Sequence, residues 1–316
     1  MKKNILILSA GRRVELIKLF NQEVYNKRNI KIYAADANPD HSPACLINKK
    51  FIKLPKCTDI KYITKLKKYS SEFNIKVIIP TIDTELLILS KFKKEFLSIG
   101  INIVISDYVF VQNSSNKIKS LEIFKKLKVN YPKIFNINNI KFPVILKPIT
   151  GSSSEGISKI KSFNDLSINM MKDKKIIFQK LIRNHKEYTV DLYFNKLCKL
   201  IAMVARERID VRNGEVIKTK TNYEITKKLW KTFNYIEGAK GPITIQVFYN
   251  KKKGSLYGIE INPRLGGGCT LSYKCGLNFP KYIISEYVEN KDIKKINKVK
   301  KKDKLLLRYE SELIKN

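Results

Sequence analysis

The sequence predicts an α/β first part followed by an α+β remainder, and three observations predict it. Residues 1–110 alternate short, continuous apolar runs with amphipathic stretches, the pattern of buried parallel strands joined by helices. Residues 187–207 and 242–262 instead alternate apolar and polar side chains around turn residues, the pattern of antiparallel hairpins. Between these parts, a strand ending in a lysine runs into a loop of glycines and serines.

The composition narrows the class. At 316 residues with 43% apolar content, the chain suits two or three domains around a sizeable core. No apolar run approaches the roughly 20 residues a bilayer span needs. The start, Met1-Lys2-Lys3-Asn4 and then Ile5–Leu8, is too short for a signal peptide and reads as a strand. The five cysteines lack paired spacing and read as free thiols of a cytoplasmic protein. A net charge of +35 invites a nucleic-acid partner, but only nine of the 63 basic residues are arginine and the lysines are spread over the whole chain. That distribution predicts no specific nucleic-acid site and no membrane partner.

Taken in order, Ile5–Ser9 is the first strand. Ala10-Gly11-Arg12-Arg13 follows, then a helix with Val14, Leu16, Ile17, Leu19, Phe20 and Val24 inward, then a strand Lys31–Asp36. This is a βαβ opening of the doubly wound, Rossmann-like type. Only Gly11 stands where dinucleotide binders carry three glycines, so no complete NAD site is expected. Arg12 and Arg13 either hold an anion at the helix N-terminus or are solvated in its first turn. Phe51–Leu54, Val77–Pro80 and Ile101–Ile105 continue the sheet, with helices over Asp59–Phe73 and Leu86–Phe96. Asp36, Asp83 and Glu85 fall at strand C-terminal ends, where open sheets bind ligands; Asp83 and Thr84 could equally cap the next helix.

Asn116–Lys128 reads as one amphipathic helix, and Phe142–Pro148 as a strand bearing Lys147. Thr150–Ile157 is a loop rich in N–H and O–H donors, either a flexible turn or a wrap for phosphate oxygens. Ile176–Gln179, Glu187–Phe194, Leu197–Glu207 and Leu305–Tyr309 read as strands.

The most informative stretch is Tyr257-Gly258-Ile259-Glu260-Ile261-Asn262-Pro263-Arg264. Alternation sends Ile259 and Ile261 to one face and Glu260 and Asn262 to the other, with Arg264 just beyond. A carboxylate, an amide oxygen and a guanidinium suit a hard cation and its phosphate oxygens. The turn Asn250–Gly254 makes a hairpin with Pro242–Phe248 and brings Gln246 near Glu260. The alternative is a polar surface hairpin. His41 and His185 are the only histidines, and no Ser/His/Asp or Cys/His nucleophilic set is apparent.

Together these residues resemble the ATP-grasp family, and most the synthetase halves of the carbamoyl-phosphate synthase large subunit, over nearly the whole chain. The resemblance implies an ATP-grasp fold behind a Rossmann-like (pre-ATP-grasp) domain: residues 1–110 for substrate, 111–180 as a small subdomain with the phosphate loop, and 181–316 with the metal strands. It implies ATP and two Mg²⁺ ions as cofactors, with Mn²⁺ able to substitute. Gln246, Glu260 and Asn262 would be the metal ligands. Lys117 and Lys147 would meet phosphates under the loop Gly151, Ser152, Ser153, Ser154 and Gly156. Gln179, Lys180, Leu181 and Ile182 would form the adenine hinge, and Glu187 the ribose acid. Arg264, Arg206 and Lys147 would be catalytic, and Arg12, Arg13, Asp83, Glu85 and Arg208 would meet the substrate. The implied activity is ADP-forming carboxylate–amine ligation through an acyl phosphate, with a small carboxylic acid and an amine as partners. Phosphoryl transfer to a carboxylate or other small acceptor is the rival within the fold, and a non-catalytic nucleotide- or nucleic-acid-binding protein the rival outside it. The second synthetase half, a glutaminase segment and the allosteric region are lacking, so carbamoyl phosphate synthesis itself is not expected. Dimers are common among such enzymes, so a homodimer is in keeping.

Overall fold

The computed structural model describes residues 3–151, 156–294 and 302–314. In the first part, β1 (Asn4–Ile7), α1 (Val14–Val24), β2 (Ile32–Asp36), α2 (Pro43–Asn48), β3 (Phe51–Lys53), α3 (Tyr62–Glu72), β4 (Ile75–Ile79), α4 (Asp83–Ser98) and β5 (Asn102–Ile103) follow one another. Their strands form a parallel sheet of order β3-β2-β1-β4-β5. All four residues of β1 are buried, as a strand covered on both faces requires. The chain reverses direction across the sheet between β1 and β4, so their C-terminal ends open a crevice. The loop Ser9–Arg13 and the segment Thr81–Asp83 rim it.

The helix expected over Asn116–Lys128 is the shorter α6 (Ser120–Lys126), preceded by an unexpected short helix α5 (Tyr108–Ser114). They lead to β6 (Ile134–Phe135), β7 (Val144–Pro148), β8 (Ser158–Ile160), α7 (Ile168–Lys172) and β9 (Ile176–Lys180). These strands form a small antiparallel sheet of order β6-β9-β7-β8 with its own core of Phe135, Val144, Leu146, Ile160 and Phe178.

The remainder supplies β10 (Lys186–Phe194), β11 (Leu200–Arg212), β12 (Glu215–Thr221), α8 (Tyr223–Leu229), β13 (Gly241–Tyr249), β14 (Leu256–Asn262), α9 (Cys269–Lys274), α10 (Phe279–Ile283) and β15 (Leu305–Leu307). The sheet runs β14-β13-β10-β11-β12-β15 and is antiparallel throughout. Period-two alternation divides its side chains. Tyr188, Val190, Leu192, Met203, Ala205, Ile243, Ile245 and Val247 face a core shared with α5, α6 and α8. The opposite face carries Tyr193 and Val204 into a core shared with β1, β2, β4, α9 and α10. Those two helices are thus the joint between the parallel sheet and the long antiparallel one. Among the described residues no helix is long and apolar enough to cross a membrane.

Candidate active site

The same alternation that buries Val190 and Ile245 lines up polar residues on the other face of the long sheet. Glu187, Thr189 and Asp191 stand on β10, Arg206 and Arg208 on β11, Thr244 and Gln246 on β13, Glu260 and Asn262 on β14. Cross-strand register pairs Gln246 with Glu260, Thr244 with Asn262 and Thr189 with both Gln246 and Arg206. The hairpin expected from sequence therefore brings Gln246 opposite Glu260. One detail differs. A bulge pairs Val247 with Gly258 and leaves Ile259 as the extra residue, so Ile259 does not join Ile261 in the core. Gly258 takes the core position against the Phe124 ring, where an added Cβ would come within 2.3 Å of ring carbons.

Two lysines feel the charge of Glu260, Lys147 from the small sheet and Lys117 from the link between α5 and α6. Lys147, on β7, is only 4% exposed. Burial pulls its ammonium down to about 8, the charge of Lys117 adds to the fall, and the Glu260 carboxylate opposes it. Lys117 is likewise lowered by burial, against the pull of Glu260 and Asp83. Its Nζ donates to Gly151 O at 3.0 Å and its backbone N–H to Ile149 O at 2.8 Å, tying it to the loop after β7. Gly151 and Gly156 both have positive φ, while Ser152, Ser153 and Ser154 lie outside the described residues. Two ammonium groups held this close, one of them dry, form a ready receptor for phosphate oxygens.

At the stretch expected to meet adenine, the Gln179 amide donates to Pro132 O at 3.0 Å, and the Lys180 N–H to Lys133 O at 2.8 Å. Leu181 and Ile182 follow the end of β9 at Lys180. Glu187 is raised by burial and by the charge of Glu260, while Arg208 pulls the other way, its Nε 2.8 Å from Glu187 Oε1. Arg208 is thus paired with the acid expected to meet ribose, its own side chain largely buried.

Arg206 differs from expectation too. It is 2% exposed, and its Nε and Nη2 grip Asp191 at 2.7 and 3.3 Å. Ser272 Oγ donates to the same carboxylate at 2.6 Å. Thr244 Oγ1 lies 3.3 Å from Asp191 and 3.1 Å from Arg264 O, and its one proton serves one of them. An added Cβ at Gly268 would meet Arg206 Nη1 at 2.4 Å. Arg206 therefore lies against the loop Arg264–Gly268, with its Nη1 left without a hydrogen-bond partner among the described residues. Asp191, Thr244 and Ser272 were missed in the sequence; Asp191 was findable, two residues along the alternation from Thr189.

Arg264 reaches across to the parallel sheet. Its Nε and Nη2 meet the Asp83 oxygens at 2.8 and 2.5 Å. Burial works to lower this guanidinium, and the Asp83 carboxylate outweighs it, leaving Arg264 above its ordinary value. Glu85, expected at the substrate, is fully buried instead. It accepts from Thr81 N at 2.6 Å, Ile82 N at 3.2 Å and Ser9 Oγ at 2.8 Å, which closes the α4 N-terminus and shapes the crevice rim. Asp36 is also committed, accepting from Gly11 N at 2.9 Å and Asn38 N at 3.0 Å. Arg13 Nη2 donates to Thr81 O at 2.8 Å, and Arg12 pairs at the surface with Glu215 at 3.4 Å.

The oxygen set Gln246, Glu260 and Asn262 fits a hard divalent cation of the Mg²⁺ type. No cluster of three His, Cys, Asp or Glu side chains able to hold a metal exists among the described residues. One carboxylate and two amides are a weak site alone and a sufficient one when phosphate oxygens complete the shell.

Comparison with known proteins agrees. Residues 5–104 match a family model described as a PylC-like, N-terminal domain, and residues 114–268 one described as an ATP-grasp domain. No curated protein sequence matches. Among solved structures the chain is similar to the biotin carboxylase domain of Hydrogenobacter thermophilus 2-oxoglutarate carboxylase, solved with MgADP, ADP and bicarbonate. That match has 16% identity and a TM-score of 0.71, covering 95% of this chain and 72% of that one. An L-amino acid ligase from Bacillus licheniformis matches at 16% identity and TM-score 0.65, over 91% of this chain and 74% of that one. Rhizobium etli pyruvate carboxylase matches at 15% identity and TM-score 0.69 over 92% of this chain, which spans only 29% of that longer one. These three are likenesses of fold. The chain therefore carries an ATP-grasp domain behind a PylC-like N-terminal domain.

Proposed function

We propose that the chain joins a small carboxylic acid to an amine at the expense of ATP, through an acyl phosphate, releasing ADP and phosphate. The observation that carries this reading is the convergence of Lys117 and Lys147 on Glu260, with Gln246 directly across the hairpin. Adenine would lie along Leu181 and Ile182, ribose at Glu187, and the triphosphate between the lysines and the long sheet. Gln246, Glu260 and Asn262 would hold Mg²⁺, which when bound supplies neutralisation of phosphate charge. The ion count and the tolerance of Mn²⁺ belong to the same proposal, as does the three-part division at residues 110 and 180.

A carboxylate is a poor acyl electrophile, and a better leaving group is what ATP offers. A carboxylate oxygen attacks the γ-phosphorus in line as the bond to the ADP oxygen breaks. Lys147 and Lys117 meet the phosphate oxygens as charge moves toward ADP, at no reorganisation cost because the protein already holds them in place. The amine nitrogen then attacks the acyl carbon, phosphate departs with the bonding pair, and the nitrogen loses a proton. Arg264, held by Asp83 at the junction of the two sheets, is the cation nearest this second step. Water must be kept from the acyl phosphate once it has formed.

The test is ADP release measured across carboxylic acids paired with amines, followed by mass analysis of the product. A condensed product with stoichiometric ADP supports the ligase. Acid-dependent ADP release without any amine, with a hydroxamate formed on adding hydroxylamine, assigns phosphoryl transfer instead. No ADP release with any acid removes the enzymatic reading.

A further inference from the structure

Where the loop Arg264–Gly268 faces the crevice of the parallel sheet, four arginines meet two carboxylates. Asp83 grips Arg264 and also acts on Arg13. Glu215, at the β11–β12 turn, lies 3.4 Å from Arg12 and 3.1 Å from Arg308, and its charge also acts on Arg13. Arg308, which follows β15, donates to Gly267 O as well. Among these six side chains two positive charges are left over.

The surplus is not a solvated fringe. Arg264 and Arg308 have side-chain exposures of 15% and 34%, so their charge is carried largely out of bulk water. Burial lowers the Arg13 guanidinium, and the positive charge of Arg264 lowers it further. Like charges held together in partial burial are costly unless an anion sits among them. The ATP phosphates have their own cations in Lys117 and Lys147. Lys117 also feels Asp83, so the arginine cluster adjoins the phosphate end of the site on the side of the parallel sheet. An acid substrate approaching the γ-phosphate would have its far end here.

We propose that Arg13, Arg308 and the exposed Arg12 form a subsite for a second anionic group on the acid substrate. The acid would carry, besides the carboxylate to be activated, a further carboxylate or phosphate. Glu215 keeps Arg12 and Arg308 aimed into the subsite until that group arrives. Arg12 is 82% exposed, and its pair with Glu215 is cheap to exchange for a substrate anion. This inference rests on the ligase reading for where the acid lies, and its test is separable from it.

Binding is measured by calorimetry on the full chain with a non-hydrolysable ATP analogue and Mg²⁺, using two matched pairs of probes. Glutarate is set against butyrate, and 3-phosphoglycerate against glycerate. The dianionic member of at least one pair should bind about tenfold or more tightly than its partner, and the pair that responds tells carboxylate from phosphate. Arg308→Gln should erase that preference and leave ATP-analogue affinity and thermal midpoint unchanged, with Arg308→Lys restoring part of it. Equal affinity within both pairs, or an Arg308→Gln variant that keeps the preference, overturns the subsite. ADP release with the same acids and an amine is read separately. Tight dianion binding lost in Arg308→Gln without ADP release keeps the subsite and rejects the ligase. ADP release with monoanionic acids alone keeps the ligase and rejects the subsite.

Discussion

Arg264 and Asp83 join the two halves of the molecule through a two-point pair, with contacts of 2.8 and 2.5 Å between residues 181 positions apart. The arginine lies two residues past the strand that bears Glu260 and Asn262, and the aspartate starts α4 at the rim of the parallel sheet. Asp83→Asn keeps the shape and removes the charge. It should cost about 1–3 kcal/mol of stability, read as a lower denaturation midpoint. It should also raise the KM for the acid more than that for ATP, because the freed guanidinium lies on the acid's side.

Lys147 sets a pH dependence of nucleotide binding. Its folded pKa is lowered to about 8, so the free site holds the charged lysine below pH 8 and the neutral one above it. Phosphate oxygens favour the charged form, so binding above pH 8 must take up a proton. Affinity for ATP should then fall by up to about tenfold per pH unit above 8 and stay flat below it. Calorimetry at pH 8.5 in buffers of different ionisation enthalpy should show the uptake. Lys147→Arg should abolish it.

Glu260 is the single carboxylate of the proposed metal set. Glu260→Gln should lower Mg²⁺-supported nucleotide binding to its metal-free level and abolish turnover, with the thermal midpoint unchanged. An Mg²⁺-dependent affinity kept in this variant would remove Glu260 from the site.

Arg206 and Asp191 make a buried pair whose loss leaves one charge stranded. Arg206→Ala should cost about 3–5 kcal/mol in unfolding free energy. Replacing both by leucine should recover much of that, since no unpaired charge then remains. The double variant should still lose activity if the pair positions the Arg264–Gly268 loop.

Gly258 sits where the Phe124 ring leaves no room. Gly258→Ala should destabilise by about 1–3 kcal/mol through overpacking. Adding Phe124→Leu should relieve part of the loss, a coupling that urea denaturation of the two single variants and the double variant would measure.

Much of this was readable one residue at a time. Continuous apolar runs marked β1 and β4, and strict alternation around Asn250–Gly254 marked the hairpin that sets Gln246 against Glu260. Weakly patterned elements were missed. β12, α5, α9 and α10 carry no local signal strong enough, because their stability comes from partners distant in the chain. The bulge at Ile259 was equally hidden: alternation reads a strand as regular until its neighbour fixes the register.

The fate of charged residues marks the same limit more sharply. The sequence by itself determined which residues could bear chemistry, since spacing places Glu260 beside Asn262 and a lysine at the end of β7. Only the tertiary structure decided which of them are free to use it. Glu85 closes a helix, Arg206 is buried against Asp191, and Arg264 is claimed by Asp83. Glu215 and Arg308 acquire a place only when β12 and β15 pair. Alternation along a strand is a local property of the backbone, whereas the partner of a charge is set by whichever segments the hydrophobic cores press together.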